Sequence, residues 1–316
     1  MTLNYDAIIG FSNGMLKGVE LKKNKFKYTN LLDASVGLNT LSIFDENKTI
    51  ISSQKKIFLF DLQNKKITKK YYIKESGCIS GLFKLNDFLF VGADNGTVVI
   101  KPIKLTKGLV AEKIDVGSNL ACLRKCLTSD KYGTGGNENP LKIWDVETRK
   151  VEFTAKSPKP DMLQLKQPCY VSDIRFFNNK KVVVSHKHGV VDLHDPLSSQ
   201  RRPVGSFTAE KTGFVCMNII PDNSDYEVIV GSSKGSIFHY DFRGKTKFPV
   251  KTFRGSTGSV RAVSCINYLN QMHIMSISLD SHIRTHNFNS GDISLKDYIV
   301  AKPMALLIKP EENSIK

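Results

Sequence analysis

Few residues in this 316-residue chain combine the types and spacing that chemistry requires. His186 and His188 bracket Lys187, and His282 and His286 occupy the equivalent region further on. Alternation along a strand puts His186 and His188 on one side, where a metal could bind. No carboxylate or third ligand stands close by in sequence, so they read as exposed turn histidines. Cys122 and Cys126 are separated by three residues with no second cysteine pair to complete a zinc site. Gly133-Thr134-Gly135-Gly136 superficially suggests a phosphate cradle, but it leads into a hairpin turn and not a helix N-terminus. There is no Gly-rich loop followed by Lys-Ser/Thr, no HExxH and no GxSxG. These residues predict no catalytic centre, no cofactor and no metal.

Charge points elsewhere. The chain carries 46 Lys+Arg against 30 Asp+Glu, a formal net charge of +16. Such an excess concentrates polyanions near the surface and speeds encounter with them, so RNA or an RNA-rich particle is the expected partner. Lysine far outnumbers arginine, which makes the adjacent Arg201 and Arg202 in SSQRRPV conspicuous. A planar guanidinium fork suits bidentate contact with phosphate or carboxylate, and the alternative is a bridge to a neighbouring sheet. Arg261, in GSVRAV, is expected near the rim of a central channel, free for a partner or bridged to a turn carboxylate.

These residues are set in a repeat. YGTGGNENPLKIWD, from Tyr132 to Asp145, reads as a strand, a polar turn and an apolar-alternating strand. Fainter copies are IIGFSNGMLKGVEL, ISSQKKIFLFDL, VGADNGTVVIKPI, VVSHKHGVVDLHDP, IVGSSKGSIFHYDF and SISLDSHIRTHNF. Turns near Asn13, Lys55, Asn95, Asn139, His188, Lys234 and Ser281 recur roughly every 40 to 50 residues, the WD-repeat range. The expected fold is therefore all-β, a seven-bladed WD40-type propeller over residues 1–309 with a short polar tail at 310–316. The chain opens on DAIIGFSNG, a second strand with no inner strand before it, and Met304–Ile308 supplies the missing one. Asp94 and Asp280 read as turn carboxylates that bond neighbouring turn groups. The glycines of GTGG allow close packing between blades.

Three further expectations follow. Cys78, Cys122, Cys216 and Cys265 read as buried free thiols at matching points of four repeats. The segment FTAKSPKPDMLQLKQP, with Pro158, Pro160 and Pro168, breaks the period and reads as a blade linker or a binding loop. With no basic n-region, no long apolar run and unpaired cysteines, the chain is expected inside the cell and off the membrane.

At GTGGNENPLKIWD, FTAKSPKPDMLQLKQP, DPLSSQRRPV and the pair GSVRAVSCI and LDSHIRTH, the chain resembles the nucleolar WD-repeat proteins that assemble the large ribosomal subunit. MLKGV at Met15–Val19 matches as well, and the resemblance covers essentially the whole chain. It implies a non-enzymatic nuclear and nucleolar assembly factor, a monomer within pre-60S particles. There it would contact other assembly factors and rRNA, be released by a AAA-type ATPase, and be connected to the exosome-associated helicase. Matching positions are Gly135, Gly136, Glu138, Asn139, Lys156, Gln200, Arg201, Arg202, Arg261 and Arg284. The resemblance also implies a lysine-rich tail beyond the propeller, where this sequence reads EENSIK. The competing reading is a peptide-reading scaffold such as a ubiquitin-ligase substrate receptor, although no F-box-like recruitment segment is present.

Overall fold

A computed structural model describes residues 5–23, 25–33, 36–73, 77–103, 111–157, 164, 167–178, 180–221, 225–244 and 248–308. The expected tail at 310–316 and half of the proline-containing segment, Pro158 and Pro160 included, lie outside these residues. Among the described residues every regular element is a strand, and the strands form seven four-stranded antiparallel sheets. The innermost strands are Pro303–Ile308, Thr40–Asp45, Ile79–Leu85, Leu120–Lys125, Val171–Phe176, Phe214–Ile219 and Val260–Tyr268, belonging to blades 1 to 7 in that order. Each packs on the next, and the last packs on the first, so the ring is closed around a central channel. The fold is a seven-bladed β-propeller.

Period-two alternation explains why the sheets stack. In blade 5, Val183, Val191 and Leu193 join a cluster with Phe214, Met217 and Val228 of blade 6. The intervening Val182 and Val184, with Ile174, join Leu141, Ile143 and Phe153 of blade 4. One strand therefore feeds two interfaces, and β-branched residues fill both faces of the pleat. Fully burying each such side chain contributes about 1.5–3 kcal/mol, which no isolated blade realises.

GTGG has the packing role its position suggested. A Cβ at Gly135 would stand 2.7 Å from Cγ1 of Val171 in the next blade, and one at Gly136 would meet the Asn119 carbonyl. Beside them the Trp144 indole donates to Thr134 Oγ1 at 2.8 Å and stacks on Tyr132 with centroids 6.1 Å apart.

Closure follows the expected route. Pro303–Ile308 pairs antiparallel with Ala7–Phe11, with Leu306 opposite Ile9 and Ala305 opposite Gly10. Ile9 and Phe11 bury against Met275 and Ile277 of blade 7, whereas Ile8 and Leu16 bury against Leu38 and Phe60 of blade 2. Blade 1 thus seals the seam on both sides with strands from opposite ends of the chain.

The cysteine register needs correction. Cys122 and Cys216 do occupy equivalent places, opposite Gly135 and Gly231 just past a bulge, and both are buried. Cys78 precedes its strand and is exposed, while Cys265 lies three residues further along its own strand, opposite Ile274. The place between Cys122 and Cys216, in blade 5, is held by Asp173.

Removing the closing strand should open the ring. A chain ending at Lys296 is expected to melt roughly 10 °C or more below the intact protein, since each kcal/mol lost is worth roughly 2–4 °C at this size or somewhat less. An unchanged midpoint in a thermal scan followed by circular dichroism would show that closure does not hold the propeller together.

Candidate partner-binding surface at the blade 4–5 seam

The hairpin turn of blade 4, the outer strand Val151–Thr154 and the loop between Asp195 and Val204 of blade 5 converge at one seam. This brings together six of the expected residues: Glu138, Asn139, Lys156, Gln200, Arg201 and Arg202. Arg261 and Arg284 lie in blade 7 and are not part of it.

Each of the six has a distinct local cause. Glu138 sits at the hairpin tip with φ of 51°, exposed, and its N–H donates to the Cys169 carbonyl at 2.8 Å. Asn139 is only 3% exposed, and its amide donates to the carbonyls of Val116, Gly117 and Ser118 at 3.2, 2.8 and 3.1 Å. Asn139 therefore ties its turn to the preceding loop and is not available to a partner, which corrects its place among the contact residues. Lys156 is exposed, and its N–H donates to the Arg201 carbonyl at 2.8 Å. In return Arg201 Nε donates to the Thr154 carbonyl at 2.7 Å. The two arginines thus divide: Arg201 staples the blade 5 loop to the blade 4 edge through backbone groups, not through an ion pair. Arg202 is exposed and makes no hydrogen bond or ion pair among the described residues. Gln200 is exposed and caps its own loop by donating to the Pro203 carbonyl at 3.2 Å.

Beneath this surface lies a cleft of about 30 Å³, room for a water or two, lined in part by Leu141, Ala155, Lys156, Cys169, His186 and His194. His186 is buried and not exposed as its turn position suggested, and its Nε2 stands 3.2 Å from Asp192 Oδ2. The missing carboxylate was six residues away, across the same hairpin. Burial raises the Asp192 carboxyl, and the His186 and Ser206 hydrogen bonds outweigh it, so the group stays ionised. Burial drives His194 down to about 4, leaving it neutral at physiological pH. Burial, with Glu138 and Asp192 adding to it, pushes the Cys169 thiol up to about 11. Burial also holds Cys216 and Cys265 up at about 12. None of these three thiols presents a ready nucleophile, and the described residues hold no cluster of three or more His, Cys, Asp or Glu fit for a metal.

In blade 7, Arg284 is 2% exposed and grips Asp280 with both terminal nitrogens, at 3.0 and 2.7 Å. Burial alone raises the Asp280 carboxyl, and Arg284 with the N–H groups of Thr257 and His282 brings it down to about 2. Arg284 is consequently a structural cation and is withdrawn from the contact residues. Asp280 and Asp94 perform the turn role expected of them, accepting from Thr257 and Cys78 at the head of each blade. His286, also expected to be exposed, is buried with Nε2 3.0 Å from the Arg254 carbonyl. Arg261 follows the first residue of its inner strand, as expected near the channel rim, and its Nε is buried without a hydrogen bond.

Sequence reasoning missed a chain of polar contacts around the channel. Arg124 Nε donates to Asp173 Oδ1 at 2.8 Å, and Arg175 Nη1 to the same oxygen at 3.0 Å. Arg175 Nε reaches Asn218 Oδ1 at 3.4 Å, and Asn218 Nδ2 donates to Ser264 Oγ at 2.8 Å. Every inner strand of blades 4 to 7 takes part, blade 5 with two side chains and the others with one each. The available signal was the common phase of LACLR, VSDIR and FVCMN.

Two outcomes check these assignments. Arg284→Ala should cost about 3 kcal/mol by stranding buried Asp280, and Arg201→Ala about 1 kcal/mol, whereas Arg202→Glu leaves the urea midpoint unchanged. Since the unfolded chain binds a proton at His194 near pH 6.5 and the folded chain does so only near 4, stability should fall as pH drops through that window. The loss approaches about 1.4 kcal/mol per pH unit for this one group, and His194→Gln should flatten it in denaturation curves between pH 7 and 5.

No family profile matches the chain. Among known proteins it is similar to WD repeat-containing protein 74 of Mus musculus, 26% identical over 319 residues, covering 96% of this chain and 81% of that protein. The human protein of the same name is 32% identical over 184 residues, 57% of this chain. The human and bovine alignments each span 46% of those proteins, under half their length. Ribosome biogenesis protein NSA1 of Meyerozyma guilliermondii is 23% identical over 319 residues, 88% of this chain and 74% of that protein. With a seven-bladed ring and similarity running along nearly all of it, the chain is similar in sequence to WD repeat-containing protein 74 and to ribosome biogenesis protein NSA1.

Proposed function

We propose that the chain is a non-enzymatic WD-repeat assembly factor of the large ribosomal subunit, acting in the nucleolus. The observation that carries this reading is similarity along almost the whole chain to relatives of which one is named for ribosome biogenesis. Charge supports it independently, because a balance of +16 favours an RNA-rich particle. The rigid ring is the docking platform. Its basic surface supplies sequence-independent attraction to rRNA, and Glu138, Lys156, Gln200, Arg202 and Arg261 are the residues for contact with rRNA or neighbouring assembly factors. Several weak contacts made at once raise retention through effective concentration. Release by a AAA-type ATPase and a connection to the exosome-associated helicase belong to the same reading and rest on the family resemblance.

Gradient sedimentation of the tagged protein, with and without ribonuclease, is the direct test. Co-sedimentation with large-subunit precursors, lost on ribonuclease treatment and weakened several-fold by Arg202→Glu, is the expected result. Rising salt should weaken retention in proportion to the number of phosphates neutralised. A small ribonuclease-insensitive complex would instead favour a peptide-reading scaffold such as a ubiquitin-ligase substrate receptor.

A further inference from the structure

The inner strands of blades 3 to 5 leave a cationic arc at one end of the channel. Arg124 and Arg175 occupy equivalent places, opposite Gly133 and Val183. Lys84 and Lys125 occupy the next place along, opposite Leu89 and Tyr132. The four therefore stand at nearly one level around the axis. Against them the inner strands of blades 3 to 5 set one carboxylate, Asp173, already shared by both arginines, and Asp45 of the blade 2 inner strand is paired with Lys48. Neither lysine pairs with a carboxylate among the described residues. Arg124 and Arg175 remain 38% and 24% exposed, and Arg124 uses only its Nε, so the fork's outer donors are open. Continuing round, the equivalent places pass to Asn218, Ser264, Leu307, Ser42 and Phe83, so the positive charge is confined to one side. Lys125 is also held below the ordinary lysine range by burial and by Lys84, as uncompensated cations are.

We propose that this end of the channel docks an acidic polypeptide segment, a glutamate- or aspartate-rich stretch of a protein partner, on Lys84, Lys125, Arg124 and Arg175. The Arg124 fork, oriented by Asp173 through Nε, matches a carboxylate in bidentate geometry, and Arg175 keeps Nη2 for a further contact. A single-stranded nucleic acid needs aromatic faces for its bases as well as cations. Of the rings on these inner strands and their neighbour, Phe44 is covered by the Lys84 ammonium at 4.4 Å, Phe83 is buried, and Phe176 packs edge-on against Gly133 of blade 4. The inference does not rest on the ribosomal reading, since it concerns binding by the isolated protein.

The test is fluorescence anisotropy of fluorescein-labelled octaglutamate with the full chain at low salt. Binding is expected, weakened about tenfold or more by Lys84→Glu combined with Lys125→Glu. Lys69→Glu with Lys70→Glu, on the outer strand of blade 2, makes the same change in net charge and should leave affinity within about twofold. Thermal melting checks each variant, and alanine pairs at the same positions replace any glutamate pair that does not fold. No binding of octaglutamate, or equal loss in both pairs, would overturn the proposal. So would an oligouridylate of matched charge that binds through Lys84 and Lys125 while the peptide does not. Failure of particle co-sedimentation alone would leave it standing.

Discussion

A four-stranded sheet that is apolar on both faces has no stable existence alone, and every other feature of this protein depends on how that constraint is met. Each blade buries one face on its predecessor and the other on its successor, as the alternating valines of blade 5 do with blades 4 and 6. Such a stack ends in two exposed faces unless it closes. Closure requires blade 1 to accept a strand from the far end of the chain, and Pro303–Ile308 provides it. Once closed, the turns and loops have fixed positions, and the surfaces they present become reproducible binding platforms.

Polar residues in the structure fall into those spent on the ring and those left for partners. Asn139, Arg201, Asp280 and Arg284 are spent: each satisfies backbone groups or a buried opposite charge between neighbouring segments. Leaving any of these groups unpaired in a low-dielectric seam costs more than the bond itself contributes. Glu138, Lys156 and Arg202 are left exposed at the blade 4–5 seam, where Asn139 and Arg201 hold the adjoining turn and loop. Adjacent arginines can thus differ entirely in role, because the loop between Asp195 and Val204 turns one guanidinium onto the blade 4 edge and the other to solvent.

Much of the fold was legible because hairpin turns and period-two strands recur at a steady interval, and because the missing first inner strand had an obvious counterpart near residue 304. Burial of polar side chains was less legible. Asn139, His186, Arg284 and His286 sit at or near turns, where polarity ordinarily signals exposure, yet here they are buried, Asn139 and His286 against segments that lead in from the preceding blade. For Arg284 a clue existed: Asp280 stands four residues earlier across a tight turn, and hairpin geometry brings such positions together. The channel network was legible only through phase, because Cys122, Asp173 and Cys216 stand at one place of their strands while Cys78 precedes its strand and Cys265 lies three residues further along.

The route of closure also sets an order in time. Blades 2 to 7 are each built from contiguous chain, so each can pair its strands and stack on a neighbouring blade without waiting for the far end of the chain. Blade 1 cannot: its strands from Ala7 to Asp33 must wait for residues 303–308, nearly three hundred positions later. Throughout that wait the edge strand Ala7–Phe11, wholly apolar and buried in the finished ring, has no partner on its inner side. The newborn protein is therefore most exposed to aberrant strand pairing during synthesis itself, and its demand for a chaperone is concentrated at the N-terminal hairpin.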